Sequence, residues 1–317
     1  MTLNSEAGAL MRKRATSRGG RGRREDSGLA NQALLDESVQ TQNAVGPQAL
    51  QPSLSIVIPA KNEARNLPRL FARLPKENCE VILVDGASTD GTVSEALRLR
   101  PDVTAIVQTR KGKGNALACG FAAASGSFIV MIDADGSNDP AEIPRFVSAL
   151  KAGADFAKGS RFLAGGGSQD ISFVRRVGNF WLNKIVNLLY GTRYTDLCYG
   201  YNAFRRECLG VMALDPGDSE DVNDGTMQWG DGFEVETLIN VRIAKANLRV
   251  AEVPSFEAAR HFGSSNLNAF SDGIRVLRTI HAERNRRVHQ TSAETAEIQP
   301  EGRAPWPLLS GLDEEVS

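Results

Sequence analysis

Four apolar runs follow one another along the first half of this chain, and each stops at a cluster of small and charged residues. They are "LSIVIPA" (54–60), "EVILVDG" (80–86), "VTAIVQT" (103–109) and "SFIVMID" (127–133). Runs that are apolar throughout, rather than alternating, belong to strands covered on both faces. The stretches between them have helical spacing, as with Leu67, Leu70, Phe71 and Leu74. "STDGTVSEALRLR" reads as a capped helix, "GNALACGFAAAS" as a helix of small residues, and "DPAEIPRFVSAL" opens another. "ADFAKGS" (154–160) reads as a fifth strand. This strand–helix rhythm predicts an α/β chain with a doubly wound, mostly parallel sheet and right-handed crossovers. Ligands of such sheets bind outside the carboxyl ends of the strands. The polar clusters sit there: Pro59 to Glu63, Asp85 to Asp90, Lys111 to Lys113, and Asp133 to Asp135.

The second half is less regular. Helices are predicted over 174–191, 231–247 and 266–287, with a strand over 248–256. Residues 1–50 are basic, Gly-rich and polar, and 288–317 are polar and Pro-containing, so both read as disordered tails around a catalytic domain at 51–287. Seven Lys/Arg fall between Arg12 and Arg24 and could touch anionic lipid or nucleic acid, although a plain disordered extension is the first expectation. The formal net charge of −1 gives no global attraction to nucleic acid, and none is expected as a partner. The cysteines Cys79, Cys119, Cys198 and Cys208 are dispersed, which argues against a zinc site or a disulfide framework. No apolar run reaches the length of a membrane span, and no signal peptide is recognised. A cytoplasmic location is therefore expected.

Asp133 and Asp135 flank Ala134 at the end of the fourth run, "FIVMIDADGSNDP". Two like charges there repel each other unless a cation joins them. Hard oxygen donors together with phosphate oxygens suit Mg²⁺ or Mn²⁺. The plainer reading is a solvated strand end, with Asp139 capping the next helix. In "IPAKNEARN", Asn62 and Glu63 either begin the helix as cap and dipole partner or contact a base or ribose. In "VDGASTDGT", capping accounts for Asp90 but poorly for Asp85, whose carboxylate can accept from a nucleobase or ribose. In "TRKGKGNA", two Gly among Arg110, Lys111 and Lys113 offer backbone N–H groups and cations to a phosphate. A surface charge run is the alternative.

In order, "LSIVIPAKNEARNL", "EVILVDGASTDGT", "KGKGNAL", "FIVMIDADGSNDPAEI", "GSRF" and "TDLCYGYNAFRREC" resemble glycosyltransferase family 2. Within it they are most similar to the dolichyl- or polyprenyl-phosphate sugar synthases. The resemblance covers about residues 53–280. It implies the GT-A fold: a Rossmann-like, mostly parallel sheet with an acceptor-side subregion, a nucleotide-sugar donor and a divalent cation. It implies that Pro59, Ala60, Glu63 and Asp85 hold the nucleoside and that Lys113 lies by the base or ribose. Asp133 would lie near the ribose and diphosphate, and Asp135 would bind Mg²⁺ or Mn²⁺. Arg161 and Arg176 match basic positions around donor and acceptor phosphates.

The chain departs from the family pattern in places. "VDGAS" lacks one acid of the usual V-D-D-G-S, and Ser137 stands where many relatives have Gln; the usual R-x-x-G-x-S-K/N-L appears as "ARHFGSSNL". The expected reaction is inverting transfer of a sugar to polyprenyl phosphate, with peripheral contact to the inner face of the membrane. A lipid phosphate is already ionised and needs no strong base, whereas a small hydroxyl acceptor would need a carboxylate within hydrogen-bond reach. Asp231 and Glu234 in "WGDGFEVETLI" are candidates for that base, or else a helix cap with an acidic first turn. Asp196 is a second candidate, for orienting the acceptor. His261 is either a further metal ligand, as the resemblance allows, or a surface-loop residue. A nucleotidyltransferase is disfavoured because "PAKNEARN" replaces a Gly-rich loop after the first strand. A non-catalytic sugar-nucleotide sensor is the remaining rival.

Overall fold

A computed structural model describes residues 53–217, 227–263 and 269–286. The expected tails, and part of the "ARHFGSSNL" motif, lie outside the described residues. The sheet is built from β1 (Leu54–Ala60), β2 (Cys79–Asp85), β3 (Thr104–Val107), β4 (Phe128–Met131), β5 (Phe156–Ser160), β7 (Asn202–Arg205) and β8 (Val250–Pro254). Its strand order is β3-β2-β1-β4-β7-β5-β8. All neighbouring pairs are parallel except those of β7, which runs antiparallel to both β4 and β5. Two reversals cancel, so β4 and β5 still point the same way. The sequence shows no strand at "NAFR"; four residues are too few to carry a period, and this segment is a strand only because it has a partner on each side. A separate parallel ribbon joins β6 (Gly167–Ser168) to β9 (Phe256–Glu257).

Alternation along β1 sorts the core into two layers. Ile56 and Ile58 face one layer with Leu67 and Leu70 of α1 (Leu67–Arg73), Ala96 of α2 (Thr92–Leu99), and Phe146 and Leu150 of α4 (Ile143–Lys151). Val57 faces the other, with Leu117 and Phe121 of α3 (Lys113–Ala123), Met212 of α6 (Cys208–Met212), and Ile239 and Ile243 of α7 (Val235–Lys245). Register then levels the strand ends. Ala60 pairs with Asp85, Asp85 with Val107, and Val57 with Met131. The polar residues that follow β1 to β4 therefore share one edge.

Two local expectations change. The first helix begins at Leu67, not at Asn62. Asn62 takes a left-handed conformation (φ 57) instead, with its N–H on Ser88 Oγ and its Oδ1 accepting from Thr89 N. It stitches the β1 end to the β2 end rather than capping a helix.

The helix α5 (Phe173–Tyr190) is amphipathic with its polar stripe inward. Its buried residues are Asn179, Asn183 and Val186. Outward stand Phe173 (78% exposed), Val174 (68%), Trp181 (62%) and Leu188 (85%). The inward asparagines serve an irregular segment with no strand partner. Asn187 accepts from Tyr194 N (2.8 Å) and donates to Tyr194 O (2.9 Å). Asn183 accepts from Leu197 N (2.8 Å) and donates to Thr195 O (2.8 Å), and Asn179 accepts from Cys198 N (3.2 Å). Buried backbone groups need partners, and here side chains at helical i, i+4 spacing supply them. A third apolar cluster fastens α5 to α7 and to α8 (Ala269–Asn285) through Val186, Val241, Val276 and Ile280.

Replacing Asn183 by Ala strips the Leu197 N–H and the Thr195 carbonyl of their partner. The expected loss is about 2–4 kcal/mol of unfolding free energy, read as a shifted urea midpoint at unchanged slope.

Candidate active site

The levelled strand ends open onto a cleft of about 390 Å³. Pro59, Ala60, Glu63, Lys113, Asp133 and Asp135 all line it, so these sequence candidates converge. Lys111 of the "TRKGKGNA" cluster lines it as well, and so do Gln108, Phe233 and Arg260, which the sequence does not mark as site residues.

Lys113 is the hub. It opens α3, and its Nζ lies 2.6 Å from Asp133 Oδ1 and 2.8 Å from Glu236 Oε1. Burial works against its charge, but Asp133 and Glu236 outweigh it and hold the ammonium well above its ordinary pKa. Burial raises the Glu236 carboxyl, and Lys113 partly offsets that rise. Glu236 was missed although it stands in "FEVETLIN", where an acid followed by a buried apolar helix marks a charge partner. Gly200 brings the "LCYGYN" loop to the same place: a Cβ on it would lie 3.0 Å from Lys113 Nζ and 3.1 Å from Glu236 Oε1.

Asp135 is buried, with Oδ1 accepting from Ser137 N (3.0 Å) and Oδ2 lying 3.2 Å from Arg260 Nε. That approach is an ion pair but not an aligned hydrogen bond, since Arg260 Nε is a buried donor with no hydrogen-bond partner. Burial and then the Asp133 charge raise the Asp135 carboxyl above its ordinary pKa, and Arg260 lowers it only in part. Burial also raises Glu63; its Asn66 hydrogen bond lowers it, and the Asp135 charge adds to the rise. Crowded carboxylates that resist ionisation form a donor set a divalent cation relieves, so the residues fit Mg²⁺ or Mn²⁺. Asp133 and Asp135 can offer it oxygens. His261 is exposed, and among the described residues no three His, Cys, Asp or Glu side chains gather as a ligand group. The three-ligand arrangement with His261 is therefore not formed in this structure.

Asp85 is buried at the end of β2. Its Oδ2 accepts from Ser88 N (3.0 Å), while Oδ1 is buried without a partner. An orphaned acceptor beside the cleft residue Ala60 is what a ligand N–H or hydroxyl would satisfy.

Of the expected base candidates, Asp231 is engaged elsewhere and Glu234 through one oxygen only, its Oε2 being buried without a partner among the described residues. Asp231 is buried, accepts from Arg110 Nε (2.8 Å) and Nη2 (3.0 Å), and also accepts from Gln228 N (2.7 Å). Glu234 stands just before α7 rather than a turn inside it, its Oε1 accepting from Gly230 N (3.2 Å) and Gly232 N (3.3 Å). The glycines of "KGKGN" also have another task. Gly114 N donates to Asp231 O (2.7 Å), and Cβ atoms on Gly112 and Gly114 would overlap Asp231 O and Gly230 O. The loop is glycine-rich so that it can lie flat on the 230–231 turn.

Arg161 and Asp196 form a buried structural pair. Arg161 Nε and Nη2 donate to Asp196 (2.7 and 2.9 Å), and Nη1 donates to Glu257 Oε2 (2.9 Å). With each guanidinium nitrogen on a carboxylate, Arg161 is not offered to a phosphate, nor Asp196 to an acceptor. Of these three expected acceptor residues, only Arg176 faces solvent, in the first turns of α5.

The model of the family "Glycosyl transferase family 2" matches residues 55–211. Polyprenol monophosphomannose synthase of Mycolicibacterium smegmatis is 31% identical over 223 residues, covering 67% of this chain and 80% of that protein. Undecaprenyl-phosphate mannosyltransferase of Micrococcus luteus is 31% identical over 230 residues, covering 70% and 90%. Dolichol-phosphate mannosyltransferase of Pyrococcus furiosus is 32% identical over 229 residues, covering 68% of this chain; the chain spans only 59% of that protein's length. Among solved structures, glucosyl-3-phosphoglycerate synthase from Mycobacterium tuberculosis with phosphoglyceric acid superposes with a TM-score of 0.56 at 21% identity, over 73% of this chain and 80% of that one. Its complex with Mn²⁺, UDP-glucose and phosphoglyceric acid gives 0.52 at 22%, over 74% and 80%. Likeness at this identity shows the fold.

An Arg161→Met substitution leaves Asp196 charged and fully buried, and is expected to cost about 3–5 kcal/mol of stability in a thermal or urea melt. An arginine serving an acceptor phosphate would instead raise KM at unchanged stability.

Proposed function

Because the chain belongs to glycosyltransferase family 2 and is a glycosyltransferase, we propose that it moves a sugar, with inversion, from a nucleoside diphosphate to polyprenyl phosphate. The observation that carries this reading is the meeting of Glu63, Lys113, Asp133 and Asp135 in one cleft. Pro59, Ala60, Glu63 and the free Oδ1 of Asp85 take the nucleoside. Asp135 and Asp133 hold Mg²⁺ or Mn²⁺. The cation supplies positive charge against the growing negative charge of the leaving diphosphate. Lys113 and Arg260 add fixed cations on the same side, and neither has to be recruited from solvent. The nucleotidyltransferase alternative gives way to the family assignment.

The acceptor choice rests on three supports. Relatives about 31% identical carry names that include polyprenol or undecaprenyl phosphate. Asp231 is committed to Arg110 and Glu236 to Lys113, so a hydroxyl acceptor would find no free base in either; Glu234 keeps one buried oxygen, Oε2, without a partner. A phosphate monoester needs no base. The third support is α5. It presents an apolar outer face, with Arg175, Arg176 and Lys184 and no acid along its length. Beside it α8 exposes Ile274 and Leu277 and buries its acids Asp272 and Glu283. Such a surface suits the headgroup boundary of an anionic bilayer. No helix among the described residues is long and apolar enough to cross a membrane, so the proposed association is peripheral.

Transfer should require Mg²⁺ or Mn²⁺, and Asp135→Asn should lower kcat on the order of 10²–10³-fold, measured as radiolabelled sugar transferred to polyprenyl phosphate. Full activity in that variant would remove Asp135 from the metal site. Transfer only to soluble hydroxyl acceptors in a panel would reject the lipid reading. The double substitution of Phe180 and Trp181 by Ser should weaken binding to phosphatidylglycerol-containing vesicles at least ~10-fold in a sedimentation assay. Activity on a short-chain polyprenyl phosphate in detergent should hold.

A further inference from the structure

The Asp133–Asp135 turn is held from behind by a chain of hydrogen bonds that none of the donor contacts requires. Asp133 N donates to Asn138 Oδ1 (3.1 Å), and Asn138 Nδ2 donates to Tyr199 Oη (3.0 Å). Tyr199 Oη and Ser255 Oγ lie 3.0 Å apart, and Ser255 Oγ donates to Glu142 Oε2 (2.5 Å). The direction of every link follows. A serine hydroxyl has one proton, and Ser255 spends it on a carboxylate, which can only accept. Tyr199 must then donate to Ser255, which leaves its oxygen to accept from Asn138. The Asn138 amide is thereby oriented with its oxygen toward the Asp133 amide. All four side chains are at least nine-tenths buried: Asn138 at 3%, Tyr199 at 3%, Ser255 at 0% and Glu142 at 6% exposure.

Tyr199 is the link with the most constraints. The Arg161 guanidinium, fixed by Asp196 and Glu257, lies 4.6 Å over its ring. Its chain neighbour Gly200 is the residue pressed against Lys113 and Glu236. A shift of the phenol would therefore move the aspartate turn through Asn138 and disturb the Lys113 contact through Gly200. The buried Arg161–Asp196 pair acquires a purpose in this arrangement, as the platform under the tyrosine.

We infer that Tyr199, acting through Asn138, is a positioning residue that sets the geometry of the Asp133–Asp135 turn for donor and cation. It touches neither reactant. The inference rests on the reading of that turn as the cation site, and the two can fail separately.

The test compares Tyr199→Phe with Tyr201→Phe. Tyr201 is the control for loss of a tyrosine hydroxyl: its own makes one partly buried hydrogen bond, to Asp139 O (2.9 Å), outside the chain of bonds, whereas the Tyr199 hydroxyl makes two buried ones. Tyr199→Phe should melt lower than Tyr201→Phe, because it removes two buried hydrogen bonds rather than one partly buried one, so Mn²⁺ affinity and local exchange are the readouts that decide. Losing the directing hydrogen bond should raise the Mn²⁺ concentration for half-saturation about 10-fold in Tyr199→Phe, titrated by the EPR signal of free Mn²⁺. kcat should fall comparably, while KM for the nucleotide sugar changes little. Hydrogen exchange at the Asp133 amide should accelerate at least ~10-fold in Tyr199→Phe and in Asn138→Ala, and not in Tyr201→Phe. Equal Mn²⁺ affinity and equal Asp133 exchange in Tyr199→Phe and Tyr201→Phe would overturn the inference. Absence of Mn²⁺ binding by the unsubstituted protein would overturn the cation reading of the turn. Accelerated Asp133 exchange would in that case still support the hydrogen-bond chain.

Discussion

The Lys113 ammonium holds the site together. One buried cation sits between Asp133, at the end of β4, and Glu236, in the first turn of α7, while starting α3 itself. These segments are far apart in sequence and come from both halves of the chain. Removing either carboxylate would leave part of a buried charge uncompensated, the expensive outcome for such groups. The same contact fixes how close the Gly200 loop can approach. The first and second halves of the chain are thus joined by electrostatics in the cleft as well as by the sheet beneath it.

Around that hub, the second half of the molecule is built to an unusual degree from buried polar contacts. Arg110 binds Asp231, Arg161 binds Asp196 and Glu257, and Arg242 binds Glu283. Three asparagines of α5 replace a missing strand partner for the 194–198 segment. Buried ion pairs contribute little net stability against an apolar alternative, but they accept few geometries. Their effect is to hold loops in one place, which a transfer site needs more than it needs added stability. Turning the polar stripe of α5 inward has a second result: its apolar residues are left outside, on the surface proposed to meet lipid.

Much of the first half was legible. The apolar runs at 54–60, 80–86, 103–109 and 127–133 announced parallel strands, and the polar residues at their ends announced a ligand edge. Pro59, Ala60, Glu63, Lys113, Asp133 and Asp135 converge there as the motifs implied. What misled was local plausibility. The glycines of "KGKGN" look like a phosphate loop, yet they serve close packing on Asp231. Arg161 looks like a phosphate ligand, yet its partners lie far along the chain at Asp196 and Glu257. Asp231 looks like a free carboxylate only while Arg110 is not known to face it. In each case the residues stood out in the sequence as special, and the partner was not visible.

The sequence by itself determined the layering of the sheet, the side of it on which the cleft opens, and many of the residues that line that cleft. Apolar periodicity acts over a few residues and is written in the chain. The tertiary structure alone decided which charges are free and which are spent. It also decided that a four-residue segment becomes a strand, that Glu236 belongs with Lys113, and that the apolar face of α5 points outward. Those outcomes depend on long-range pairing, where burial makes an unpartnered charge or amide costly enough to select its neighbour from anywhere in the fold.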